Sequence, residues 1–206
     1  MNLGDPDLAQ KYGVLPCDGI GLMREEFIWT TFIHEHPLHL IETGRSDFAV
    51  NTLAEGMRKV CQALAPRQVV VRLSDFKSSE YLKGGDKYEP HESSALLGWR
   101  GASRYYDPKY TPAFKLELEA IKKVRNEFGF KNLQVMIPFC RTVEEAELVT
   151  NLMAQEGLVR GKDFKIWLMA EIPANIILAD QFNKYVDGYS IGSNDLTMLV
   201  LGCDRD

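Results

Sequence analysis

The chain has 206 residues, 45% hydrophobic and 26% charged, and its 24 basic against 29 acidic side chains leave a net charge of −5. That length suits one large α/β domain with a sizeable core, and the mild acidity argues against a general nucleic-acid or membrane surface. Cys17, Cys61, Cys140 and Cys203 are scattered without a C-x-x-C pair, so neither a zinc site nor a disulfide framework is expected and a cytoplasmic location is the default. No apolar run reaches the roughly 20 residues of a membrane span, and the charged, turn-forming opening from Asn2 to Asp7 is not a signal peptide.

In chain order, MNL (1–3) reads as the tail of a first strand and GIGLM (19–23) as a second. The cluster HEHPLH (34–39) lacks the i, i+4 histidine pair with an acid that marks a helical zinc site, and reads as a capped surface loop. Leu53, Met57, Val60, Cys61 and Leu64 then share one helical face. QVVVRL (68–73) is a strand without polar alternation, as expected of a parallel sheet buried on both faces. Ser74 to Leu97 is a long irregular stretch rich in Gly, Ser, Lys and Glu, and loops of that length in compact domains are more often functional than structural.

A second helical face follows in Phe114, Leu118, Ile121, Val124 and Phe128, with Thr111-Pro112 as cap and first turn and Gly129 as stop. LQVMI (133–137) is a strand, and Thr142 with Glu145 forms a candidate capping box for a helix ending at Gly157. IWLMA (166–170) and VDGYSI (186–191) complete the strands. Strand and helix in alternation predict α/β architecture with right-handed crossovers between parallel strands.

Charged residues collect at the carboxyl ends of these strands: Arg24 after the first full one, Arg72 in the last turn of the next, Glu171 directly after IWLMA, and Asn194 with Asp195 after Ile191. In a parallel barrel that is the face where active sites are built. Glu171 and Asp195 could ligate Mg²⁺, and Arg24 and Arg72 could clamp phosphoryl oxygens in a forked geometry that Lys cannot copy. One such Arg–carboxylate pair is more often a structural salt bridge; four strand ends together favour a site.

GIGLMREEF (19–27), VVVRLSDFKSSEY (69–81), LLGWRGASRYY (96–106), MAEIPAN (169–175) and SIGSNDLTMLVLGCDRD (190–206) together resemble the pyruvate/phosphoenolpyruvate-binding barrel of the PEP-utilising enzymes. RLSDFKSSEY and GWRGASRY look most like the phosphoenolpyruvate synthase branch, with the pyruvate phosphate dikinase and enzyme I branches as alternatives. Gly84-Gly85-Asp86-Lys87 lies inside a longer insertion, unlike the enzyme I arrangement.

The resemblance implies a cytoplasmic, gluconeogenic phosphotransferase that converts ATP, pyruvate and water to AMP, PEP and phosphate. ATP is used only by another domain, whose phosphohistidine visits the barrel and phosphorylates the enolate of pyruvate. By motif, Glu171 and Asp195 match the Mg²⁺ ligands, with Mn²⁺ as the alternative. Arg24, Arg72 and Asn194 match the residues on the transferring phosphoryl group, while Arg100, Arg205 and Asp195 match further substrate-binding residues. The implied partners are pyruvate or PEP and the phosphohistidine and ATP-binding domains, with no nucleic acid and no membrane.

The family's proton-transfer cysteine, in a Cys-Gly-Gln or Cys-Gly-Glu motif, has no counterpart here, and neither Cys140 nor Cys203 matches it. None of His34, His36, His39 and His91 matches the carrier histidine. With the (β/α)8 TIM-barrel type of fold that the resemblance implies, about six of eight strands are present and the first one is partial, so the expectation is a single domain over 1–206, incomplete at both ends, with its last two strands beyond Asp206 and inactive alone. Two other assignments compete: a split-chain interaction module, and a metal-dependent lyase of related architecture that leaves RLSDFK and GWRGASRY unexplained. An opened barrel exposes apolar wall, which a homo-oligomer would cover.

Overall fold

The computed structural model describes residues 1–78, 83–94 and 96–204. The apolar runs form strands β1 (Asn2–Leu3), β2 (Gly19–Arg24), β3 (Gln68–Arg72), β4 (Leu133–Ile137), β5 (Ile166–Ala170) and β6 (Gly188–Ile191). Every neighbouring pair is parallel and the spatial order is the sequence order, so the sheet curls into a half-barrel of (β/α)8 type. Val186 and Asp187, expected in the last strand, precede β6 instead. The Asp187 carboxylate turns back to accept from the Ile166 N–H at 2.9 Å and from Arg160 Nε at 3.1 Å, pinning the entry to β6.

Helix α1 (Ala9–Gly13) follows β1. After β2 come α2 (Glu26–Ile28), which runs into a π-turn over Trp29–Ile33, then α3 (Pro37–Glu42) and α4 (Ser46–Leu64). After β3 come α5 (Ala102–Tyr105) and α6 (Thr111–Lys122), and after β4 comes α7 (Val143–Gln155). Helices α8 (Pro173–Ile177) and α9 (Ala179–Phe182) follow β5, and α10 (Ser193–Leu201) follows β6. No described helix is long and apolar enough to cross a membrane.

The helical faces expected from periodicity are the ones that bury. Leu53, Met57, Val60, Cys61 and Leu64 of α4 are fully buried, as are Phe114, Leu118, Ile121 and Val124 from α6 and the turn after it. Each large aliphatic side chain so placed contributes about 1.5–3 kcal/mol. Phe128 is instead partly exposed, because the chain leaves the helical path through a π-turn over Lys123–Glu127 before it reaches Gly129, whose φ is +79°.

Two caps differ from expectation. The residue preceding α6 is Tyr110, and Thr111 is the first helical residue, its hydroxyl donating back to the Tyr105 and Asp107 carbonyls at 2.9 Å. Thr142 does cap α7, its Oγ1 accepting from the Glu145 N–H at 3.1 Å. The reciprocal half of the box is displaced by one residue, since Glu145 Oε2 accepts from the Arg141 N–H at 2.5 Å.

The two faces of the sheet carry separate apolar sets. Val69, Val71, Val135, Ile137, Ile166 and Leu168 pack outward against the helices, while Val70, Met136 and Met169 form an inner cluster with Leu22 and Trp167. Side chains two apart on a strand share a face. Leu22, Val70 and Met169 therefore place Arg24, Arg72 and Glu171, each two residues on, above the inner cluster at the carboxyl ends of their strands.

The irregular stretch after β3 is tied down at Lys83 and beyond. Lys83 makes a parallel bridge to Glu35, with the His36 N–H on the Lys83 carbonyl at 3.0 Å. The His34–His39 cluster is thus not wholly a surface loop. His36 is buried, caps α3 by accepting the Leu38 N–H on Nδ1 at 3.2 Å, and meets Glu89 through Nε2 at 3.0 Å. Arg104 grips the same Glu89 through both terminal nitrogens at 2.9 Å. Arg104 stacks on Trp99 at 4.4 Å, so the chain returning to the barrel mouth is held by a buried cation.

Candidate active site

A cavity of about 410 Å³ opens at the carboxyl ends of the strands, lined among others by Arg24, Arg72, Arg100, Glu171, Asn194 and Asp195. Six of the seven residues singled out from sequence therefore converge; the seventh, Arg205, lies outside the described residues. Ser193, Asn194 and Asp195 do not extend β6. They open α10, which puts Asp195 in its first turn, where the helix dipole favours an anion.

Three carboxylates, Asp75, Glu171 and Asp195, each bring an oxygen within 4.8 Å of the others. Glu171 is buried and fixed from two sides. Its Oε1 accepts the Phe139 N–H at 2.7 Å, and its own N–H and that of Ile172 donate to Asn175 Oδ1 at 3.3 and 3.1 Å. Asn175 is fixed in turn by donating Nδ2 to the Cys140 carbonyl at 2.8 Å. Burial pushes the Glu171 carboxyl up to about 7 and the neighbouring Asp75 adds to it, against the Phe139 N–H and Arg72, which pull it down. The shift thus reflects burial first and the crowding of like charges second.

The basic groups come from three elements. Arg72 Nη2 donates to Glu26 Oε1 at 2.9 Å and Nη1 lies 3.8 Å from Asp75 Oδ2. Burial opposes its charge, but Glu26, Asp75 and Glu171 outweigh that and hold it firmly ionised. Arg72 Nε and Glu26 Oε2 are buried with no hydrogen-bond partner among the described residues, which costs about 1–3 kcal/mol for each such group until a ligand or water supplies one. Arg24 and Asn194 reach the cavity from exposed positions.

Arg100 is the most heavily engaged. Nε and Nη2 donate to the two oxygens of Asp75 at 2.9 and 2.6 Å, Nη2 also donates to Asp195 Oδ2 at 2.8 Å, and Nη1 donates to the Leu96 carbonyl at 3.0 Å. Its guanidinium lies 3.8 Å over the ring of Phe139.

Phe139 ties the acid and the base together, and its φ of +44° is a conformation that side-chain-bearing residues rarely adopt. Gly101 makes the approach possible. At φ +56°, a Cβ there would lie 2.6 Å from the Pro138 carbonyl oxygen and 2.7 Å from the Phe139 Cβ, so the glycine after Arg100 is required by contact as well as by backbone.

Behind this layer, Glu117 of α6 accepts both the N–H (3.2 Å) and the hydroxyl of Ser74, and the Tyr105 hydroxyl donates to the Ser74 carbonyl at 2.6 Å. Glu25, fully buried nearby, accepts from Trp29 Nε1 at 3.2 Å. The Cys140 thiol is buried and pushed far up by that burial, consistent with packing rather than chemistry.

Sequence reasoning passed over Asp75, Glu26 and Phe139. The first two were within reach, since both are acids closely following the arginines in RLSDF and REEF at strand ends. Phe139 gives no such signal, because its role rests on a left-handed backbone and on contacts 32 and 39 residues away in sequence.

The family described as PEP-utilising enzyme, PEP-binding domain, matches residues 1–206. The chain is 61% identical over 208 residues to a probable phosphoenolpyruvate synthase of Staphylothermus marinus, covering all of this chain and 25% of that protein. It is 57% identical over 209 residues to a phosphoenolpyruvate synthase of Aeropyrum pernix and 46% identical over 228 residues to that of Escherichia coli, covering 26% and 29% of those proteins. The chain thus spans between 25% and 29% of the length of these relatives.

Proposed function

This chain belongs to the PEP-utilising enzymes as a PEP-binding domain, and from that premise we propose that it holds pyruvate or PEP for phosphoryl transfer in a phosphoenolpyruvate synthase reaction. The observation that carries the proposal is the meeting of Asp75, Glu171 and Asp195 with Arg24, Arg72 and Arg100 in one cavity at the strand ends.

The residues suit a hard divalent cation: clustered carboxylate oxygens, one raised carboxyl, and no histidine or cysteine among the clustered groups described. Glu171 and Asp195 would hold Mg²⁺ or Mn²⁺, which when bound supplies charge stabilisation for an enolate oxygen. The chain's own side chains do the rest. Arg72, with an unpartnered Nε, and Arg24 offer N–H donors to phosphoryl oxygens, and Asn194 adds an amide at the mouth of the cavity. Phosphoryl transfer depends mainly on position and charge, which a cavity walled by guanidiniums provides. In this proposal the phosphoryl donor is a phosphohistidine carried by another part of the enzyme, where ATP is also used.

Calorimetry with oxalate, a mimic of the pyruvate enolate, tests the assignment. Oxalate binding is expected only when Mg²⁺ is present and is expected to vanish in Glu171→Gln. Binding without metal, or undiminished binding by the variant, would overturn it.

A further inference from the structure

Arg100 is placed where a cation would go. Its Nη2 donates at once to Asp75 Oδ2 at 2.6 Å and Asp195 Oδ2 at 2.8 Å, two of the three acids that cluster in the cavity. The two contacts differ in kind. Asp75 takes a forked pair, through Nε and Nη2, and its side chain is 3% exposed; Asp195 takes one N–H and is 16% exposed. The Leu96 carbonyl and the Phe139 ring hold the guanidinium independently of Asp195. Loss of the Asp195 contact would therefore leave Arg100 in place with one N–H of Nη2 released toward the cavity.

We propose that Arg100 is an internal counter-cation of Asp195, displaced from it when a divalent ion takes that carboxylate, and that Asp75 is the berth that keeps the displaced guanidinium aimed at the anionic ligand. This rests on Asp195 being an ion ligand, as proposed above. It goes further in predicting an order: one N–H of Arg100 Nη2 is occupied by Asp195 before the ion arrives and becomes available to an anion only afterwards. Arg100 and Asp75 are thus positioning residues for ion and anion together, and the requirement for metal before anion is written into the one nitrogen, Nη2, that the two acids share.

The test uses Mn²⁺ alone as probe, its affinity measured by electron paramagnetic resonance on the full chain. Arg100→Lys keeps the charge but cannot fork across two carboxylates. It is expected to bind Mn²⁺ about tenfold more tightly than the parent, the size expected for removing one charge-assisted hydrogen bond that competes with the ion. A second measurement needs no variant: in arginine-side-chain ¹⁵N NMR, Mg²⁺ is expected to shift the Nη signals of one buried arginine, and Arg100→Lys to remove that shift. If Mn²⁺ binds the parent and is lost in Glu171→Gln, yet Arg100→Lys binds it as the parent does and no Nη signal moves, the counter-cation proposal fails and the site assignment stands. If Glu171→Gln leaves Mn²⁺ binding intact, the site assignment itself fails.

Discussion

Replacing Glu117 by glutamine should change how stability depends on pH rather than simply lower it. Glu117 is fully buried, and burial raises its carboxyl from 4.5 to about 7, with Glu26 adding to the shift and the two Ser74 bonds opposing it. Below pH 4.5 the group is protonated in folded and unfolded chains alike and its ionisation costs folding nothing. As pH rises from 4.5 towards 7, the unfolded chain releases the proton while the folded chain keeps it, so stability falls. Above that window both states are ionised, and the accumulated loss is about 3 kcal/mol.

The side-chain amide introduced by Glu117→Gln would keep an acceptor for the Ser74 N–H but has no proton to lose. Urea unfolding between about pH 5 and about pH 8 should therefore show the parent losing about 2–3 kcal/mol more than Glu117→Gln across that range. Glu25 is likewise raised, by its own burial first and by the charge of Glu117 second, so the difference between the two curves reads Glu117 together with its effect on Glu25. Parallel curves would refute the claim that the folded chain buries a titrating carboxyl behind the site.

Two further substitutions probe how the barrel mouth is built. Gly101→Ala forces a Cβ to within 2.6 Å of the Pro138 carbonyl at a φ of +56°. It should cost about 2–4 kcal/mol in a urea melt and weaken Mg²⁺-dependent oxalate binding under conditions where the variant is still folded. A Gly101→Ala protein with unchanged oxalate affinity would mean that the Arg100–Phe139 approach is not needed by the ligand. Glu89→Gln removes the carboxylate that Arg104 grips at 2.9 Å through both nitrogens, leaving a guanidinium that is 1% exposed. The expected loss is about 3–5 kcal/mol by denaturant midpoint, with the added change Arg104→Met recovering part of it. A cost below about 1 kcal/mol would show the pair to be dispensable.

Much of this molecule follows from local pattern. Runs such as LQVMI and IWLMA are too short and too apolar to be anything but buried strands, and the strands they form have the predicted bounds. The period of two then sends Arg24, Arg72 and Glu171 to the same side of the sheet as Leu22, Val70 and Met169, so their convergence is implied once the sheet is known to be parallel. Helix faces such as Leu53 to Leu64 are equally local, because an amphipathic stripe buries whichever way the chain later turns.

Caps were less secure. Thr111 and Thr142 carry the same side chain at the start of similar helices, yet only the Thr142 hydroxyl oxygen accepts an N–H of the first turn, since the Thr111 hydroxyl is drawn to carbonyls of the preceding turn. The arrangement inside the site was decided by tertiary structure. That Arg100 meets both Asp75, 25 residues away, and Asp195, 95 residues away, depends on how the stretch after β3 is pinned by Glu89 and on a left-handed Phe139. Neither can be read from periodicity, because charge pairs within reach of one another compete through distances of a few ångströms that only the packed chain sets. Composition and spacing determine which groups reach the barrel mouth; the closed set of contacts around Arg100 decides which acid each base neutralises.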